Sequence, residues 1–186
     1  TTIINLLLTC SKHVGPNPSS PTHARRYVTA CWSSRNIGCM FKRLVVVNRG
    51  EAAMRLIHAV RELNEEREVG IRLIVLHTHH ERQAMFVREA DEAILIGGAS
   101  AGGAARTDPY LDHSELQRAL EQARADAVWV GWGLVAEDPA FADLCQRMGT
   151  VFVGPDGDVM RRLGDRIGAR LLAEEANVRV APWSRG

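Results

Sequence analysis

From residue 42 onward the sequence predicts an α/β fold, an open and mostly parallel doubly wound sheet with helices on both faces. Three observations carry that expectation. Short β-branched runs alternate with helical patterns, the way βαβ units read in sequence. Glycine-containing turns follow several of the runs and lead into helices, as at Asn48-Arg49-Gly50-Glu51. The 186 residues leave room for one sizeable core, since domains commonly hold roughly 100 to 200 residues.

The elements follow in order. Leu44–Val47 reads as the first strand, and residues 51–66 as a helix with Leu56, Val60 and Leu63 along one face. That face leaves Arg55, Glu62 and Glu66 to solvent or a partner. Ile71–Leu76 is a second strand, Glu81–Ala90 a second helix and Ala93–Ile96 a third strand. Residues 97–105 form a Gly/Ala linker that lacks the Gly-Lys-Ser/Thr of a phosphate-binding loop. Asp112 or Ser114 caps a helix reaching about Ala125, and the strand Ala127–Val130 then enters Gly131-Trp132-Gly133. A helix over 139–148, a strand over 151–153 ended by Gly154-Pro155, and a helix over 165–176 complete the pattern.

Residues 1–39 look like different material, without sustained periodicity and expected to be a disordered tail. They hold Lys12, Arg25, Arg26 and Arg35 and no acidic residue, so from a total of +1 the remainder carries −3. A nucleic-acid surface on the folded part is therefore not expected, because it calls for a clustered basic face. Arginine outnumbers lysine 21 to 2, which makes any single arginine a weak functional signal. No apolar run approaches the roughly 20 residues that a membrane helix needs. Two readings of the tail stay open. It is upstream sequence translated in frame, with Met40 opening a cytoplasmic domain over 40–186, or an Arg- and Ser-containing transit peptide directing a mitochondrial one. Cys10, Cys31 and Cys39 lie in the tail and Cys145 inside a helical pattern, and no CxxC pair suggests a zinc site or disulfide framework.

In an open parallel sheet, ligands bind outside the carboxyl ends of the strands. The Asn48-Arg49-Gly50-Glu51 turn offers free N–H groups at a helix start to an anion, or else Gly50 only permits the turn and Glu51 only favours the helix terminus. Gly131-Trp132-Gly133-Leu134-Val135-Ala136 satisfies the GxGxxA spacing of a dinucleotide fingerprint, but after the fourth strand and with only Asp156 and Asp158 as loose acidic candidates. The alternative is a sharp turn beneath a ligand, with Trp132 as a flat apolar wall. His77, His79 and His80 cluster after the second strand, and surface histidines near a helix start are the simpler reading than a metal site. Cys145 is expected to face the core, and no metal ligands and no nucleophile–base arrangement can be assigned.

Taken together, the motifs resemble the amino-terminal domain of biotin carboxylases, over residues 42–186. Val47-Asn-Arg-Gly-Glu-Ala-Ala-Met-Arg55, Arg88-Glu-Ala-Asp-Glu-Ala93, Tyr110-Leu111, Ala127-Val-Trp-Val-Gly-Trp-Gly133, Phe152-Val-Gly-Pro155 and Leu163-Gly-Asp-Arg166 follow in the family's order. Gly131-Trp132-Gly133 and Pro182-Trp183-Ser184 are similar to the multidomain eukaryotic acetyl-CoA carboxylases, whereas Asn48–Glu51 is similar to the bacterial and mitochondrial version. The resemblance implies a pre-ATP-grasp lobe, working with a downstream ATP-grasp lid and a carboxyl-terminal lobe. Together they carboxylate biotin on a carrier protein with bicarbonate and MgATP, for an acyl-CoA carboxylase of the acetyl-CoA type. These 186 residues alone are expected to be inactive, with no catalytic residue among them.

The family's Gly-Asp-Lys lysine, which contacts ATP, corresponds to Arg166 here. By the same resemblance Trp132 stands at the wall of the biotin site, Glu137 matches a nearby glutamate, and Arg49, Gly50 and Glu51 line the first turn. Arg55 and Glu62 match charged positions where relatives pair, with His58 in place of an arginine, so a homodimer is an implied partner alongside the carrier and carboxyltransferase components. Three other readings compete: a Rossmann-type NAD(P)-binding domain, a non-catalytic truncated module, and a carbamoyl-phosphate synthetase large chain, which fits the motifs less well.

Overall fold

A computed structural model describes residues 41–97 and 108–184. The tail and most of the Gly/Ala linker lie outside the described residues. Strand β1 (Arg43–Val46) leads to α1 (Gly50–Arg67), β2 (Arg72–His77), a 3-10 turn at His79–Glu81, α2 (Met85–Glu89) and β3 (Glu92–Leu95). After a 3-10 turn at Pro109–Leu111 come α3 (His113–Ala123), β4 (Ala127–Trp129) and a further 3-10 turn at Leu134–Glu137. Then α4 (Pro139–Met148), β5 (Val151–Phe152), α5 (Gly157–Gly164) and α6 (Arg166–Glu175) follow.

The five strands are all parallel, in the order β3-β2-β1-β4-β5. This is the predicted open doubly wound sheet. Strand β1 occupies the middle, and its apolar run is explained by burial on both faces. Leu44 and Val46 join α1 and α2 in one core layer through Ala53, Leu56, Ile57, Val60, Leu63 and Phe86. Val45 and Val47 join α3 and α4 in the other, through Leu116, Ala119, Leu120, Phe141, Leu144 and Cys145. Side chains alternate across a strand, so a run apolar at every position needs a partner on each side.

Helix starts are set by aspartates, as the sequence suggested for Asp112, whose carboxylate accepts from the N–H groups of Ser114 and Glu115. Asp138, Asp156 and Asp165 do the same for α4, α5 and α6. At the amino edge of the sheet, Asp126 accepts from the Lys42 and Arg43 N–H groups at 2.8 and 2.9 Å.

Two elements differ from expectation. The helix predicted over 81–90 is broken, because the Glu81 carboxylate bonds back to the Thr78 N–H and hydroxyl and closes a separate turn before α2 begins. Helix α5 was not foreseen: it packs on α4 and α6, but only Gly157 of it is buried, so its sequence lacks a core-facing stripe.

Candidate functional site

The sheet order reverses between β1 and β4, and at such a switch point an open parallel sheet offers a crevice at the carboxyl ends of its strands. Asn48, immediately after β1 and 5% exposed, clasps its two lips. Its Nδ2 donates to the Val130 carbonyl at 2.6 Å and to the Trp132 carbonyl at 3.0 Å, while its Oδ1 accepts from the Arg49 N–H at 2.8 Å. Every polar atom of the amide is used. The loop after β1 and the loop after β4 are thereby held in fixed register.

Each lip has its own local cause. Gly131 has φ +65°, and a Cβ there would come within 2.5 Å of the Trp129 ring, so only glycine fits. This turn brings Trp132 to the surface, 55% exposed. Gly50 opens α1 at φ +59° with open space around it, so it serves the backbone conformation and not a close approach. The GxGxxA motif does not open a long helix: Gly133 and Leu134 also have positive φ, and a single 3-10 turn ends before Asp138 caps α4.

A charged cluster walls the crevice on the β2 side. Arg49 lies 3.6 Å from Glu81 and 3.7 Å from Asp108, with its guanidinium 5.5 Å from the centre of the Tyr110 ring. The buried Tyr110 hydroxyl donates to the Leu76 carbonyl at 2.7 Å and approaches Glu81 at 3.2 Å. Burial opposes ionisation of Glu81, but donation from Thr78 and Tyr110, together with Arg49, outweighs it and holds the carboxyl below its ordinary range. Burial, then the Glu81 charge, pushes the Tyr110 phenol up, so it stays a neutral donor.

The remaining candidates are spread over the molecule. Glu51 is turned to Arg55, one helical turn on, at 2.6 Å. Arg55 and Glu62 lie on the exposed face of α1, and Glu137 is exposed at the end of its 3-10 turn. Arg166 is exposed at the first position of α6, beside the Asp165 cap. His79 and His80 are exposed, whereas His77 is buried at the end of β2 with Nδ1 2.9 Å from the Thr78 carbonyl. Among the described residues no group of three or more His, Cys, Asp or Glu side chains could hold a metal ion. Cys145 is buried as expected, and burial pushes its thiol up to about 12. None of the helices formed by the described residues is long and apolar enough to cross a membrane.

The family description "Biotin carboxylase, N-terminal domain" matches residues 40–160, which contain both lips, Glu81 and Tyr110. The chain belongs to this biotin carboxylase family. Among relatives, this chain is 35% identical to Biotin carboxylase 1 of Bacillus subtilis, over 79% of this chain and 30% of that protein. It is 34% identical to Pyruvate carboxylase 1 of Caenorhabditis elegans, over 89% of this chain and 13% of that one. Its fold matches the biotin carboxylase domain of a thermophilic 2-oxoglutarate carboxylase bound to bicarbonate, with a TM-score of 0.68 and 34% identity, covering 80% of this chain and 31% of that one. A pyruvate carboxylase of Rhizobium etli matches with a TM-score of 0.69 and 32% identity, covering 78% and 14%. The lobe thus spans less than a third of the length of these relatives.

Sequence reasoning did not foresee the roles of Asn48, Glu81 and Asp108. Asn48 and Tyr110 stand inside family-like motifs with no role attached to either, and Glu81 reads in the sequence only as the start of the second helix. A short polar residue directly after a buried strand, where its own backbone cannot continue the ladder, was the available signal for Asn48.

Proposed function

We propose that this chain is the amino-terminal lobe of an ATP-dependent biotin carboxylase, which carboxylates carrier-bound biotin with bicarbonate. The observation that carries the proposal is the Asn48 clasp, which fixes a crevice at the switch point of the sheet with an exposed indole on one lip and a helix start on the other. Such a site supplies walls and N–H groups for a ligand, and leaves phosphate neutralisation to residues outside it. Arg49 fits that division of labour, since its charge is already answered by Glu81 and Asp108.

In this proposal Trp132 forms a wall against biotin and Arg166 holds ATP phosphate, with Glu137, Gly50 and Glu51 contributing to the rim. Arginine grips phosphate through a planar fork and lysine as a point charge, so Arg166→Lys is expected to change the KM for ATP. Mg2+ would be bound with ATP by the other lobes. The motifs support an acyl-CoA carboxylase of the acetyl-CoA type, while the relatives include pyruvate carboxylases, and Arg55 and Glu62 provide a charged face for pairing.

The test is a chimera in which the matched first part of Bacillus subtilis biotin carboxylase is replaced by residues 40–184 of this chain. ADP formation that requires both bicarbonate and biotin supports the reading. A folded chimera without that activity, combined with tight NAD binding by the 186-residue chain, rejects it in favour of a dinucleotide-binding domain.

A further inference from the structure

The loop between β4 and α4, which carries Trp132, is strained and needs ties outside itself. Gly131 and Gly133 have positive φ, and so does Leu134, at +50°, where a side chain is disfavoured. Such a backbone persists only where its surroundings over-determine it. The Asn48 clasp does this at the amino end of the loop, through the Val130 and Trp132 carbonyls. Val135, fully buried, does it in the middle. The carboxyl end of the loop is Asp138, and the tie there is His113.

We infer that His113 is a positioning residue: acting through Asp138, it holds the far end of this loop and so keeps the Trp132 wall in place for biotin, an inference that rests on the proposed function. A carboxylate oxygen only accepts, so the imidazole donates from Nε2 across the 2.6 Å to Oδ2. His113 stands on a rigid frame. It opens α3, one turn after Tyr110, whose buried hydroxyl is bonded to the Leu76 carbonyl of β2. Its ring lies 6.0 Å from that of the buried Phe141. The turn at Pro109–Leu111 packs on the turn at Leu134–Glu137. Because Tyr110 also lies against the Arg49 guanidinium, the tie joins the Trp132 lip to the frame of the opposite lip. Capping of α4 does not require it, since the Ala140 N–H bonds to the other carboxylate oxygen. A pair that is a third exposed adds little to overall stability, so its effect lies in where the loop sits.

The experiment compares backbone motion, by nuclear magnetic relaxation, in the 186-residue chain and two variants. His113→Phe keeps a ring against Phe141 but no donor, and His113→Gln keeps a donor near the place of Nε2. In His113→Phe the amide order parameters over residues 132–137 should fall from about 0.85 to below about 0.6, with those of β1 unchanged, and His113→Gln should keep the parent values. A contact that serves stability alone would leave all of them where they were, because the fold stays populated. In the chimera described above, His113→Phe should raise the KM for biotin about threefold and leave kcat and the KM for ATP unchanged, the signature of a weakened binding wall. Unchanged order parameters overturn the inference, and so does an active chimera whose KM for biotin does not move. A loop as mobile in His113→Gln as in His113→Phe overturns it too, since the donor would then not be what holds it. An inactive chimera, with the loop of the chain loosened only in His113→Phe, fails the functional reading and upholds the tie.

Discussion

His113 and Asp138 join the first turns of α3 and α4, with Nε2 2.6 Å from Oδ2. The other oxygen of the same carboxylate accepts from the Ala140 N–H, so Asp138 both caps one helix and ties it to the next. Asp138→Ala is expected to cost about 1–2 kcal/mol, chiefly through the lost cap. His113→Ala should cost less than about 1 kcal/mol, because the pair is a third exposed and the cap survives. Urea unfolding of the two variants checks the order.

Asn48→Ala removes both donors of the clasp and leaves the Val130 and Trp132 carbonyls without them. The expected loss is about 1–3 kcal/mol, the cost of stranding buried polar groups. Asn48→Asp should be at least as damaging, since it aims a carboxylate at two carbonyl oxygens. Chemical denaturation gives the stability. Quenching of tryptophan emission by acrylamide reports whether the loop carrying Trp132 has come loose.

Acid should reach Glu81 late. Its pKa is depressed in the folded chain, so the stability it contributes is fully present above the unfolded value of about 4.3 and is lost as pH falls through the folded one. Glu81→Gln is therefore expected to be less stable than the parent at pH 6 and to lose less on acidification to pH 3. A series of urea midpoints across that range measures it. Parallel pH profiles for the two proteins would remove Glu81 as a contributor.

Two glycines separate backbone strain from crowding. Gly50→Ala meets open space and pays only for positive φ, about 1–2 kcal/mol. Gly131→Ala pays the same and also drives a methyl into the Trp129 ring, so it should be the more destabilised of the two in thermal melts, with a changed near-ultraviolet tryptophan signal.

The alternation of β-branched runs and helical stripes was enough to place all five strands within a residue or two, because each strand is apolar on both faces and each main helix on one. The predictions slipped where a side chain or a missing stripe sets the structure. Glu81 bonding back to Thr78 broke one helix, and α5, eight residues long, is too short for its spacing to stand out from a turn. The site was less legible than the fold. Asn48 meets its partners 82 and 84 residues away, and Tyr110 meets Leu76 across 34, separations at which no local pattern connects the two ends. Motif order pointed to the loops after β1 and β4, but only the fold shows which side chains face each other.

The central position of β1 also orders events in time. On the ribosome, β1 can pair with β2 soon after both emerge, whereas its other edge waits for β4, and Asn48 waits for a carbonyl 82 residues downstream. At synthesis rates of 5–20 residues per second that interval is roughly 4–16 s. Through it, one edge of the central strand stands unpaired, a ready template for another nascent copy. The crevice thus forms only after the β1–β2–β3 half of the sheet can, and crowded translation endangers it before any ligand can arrive.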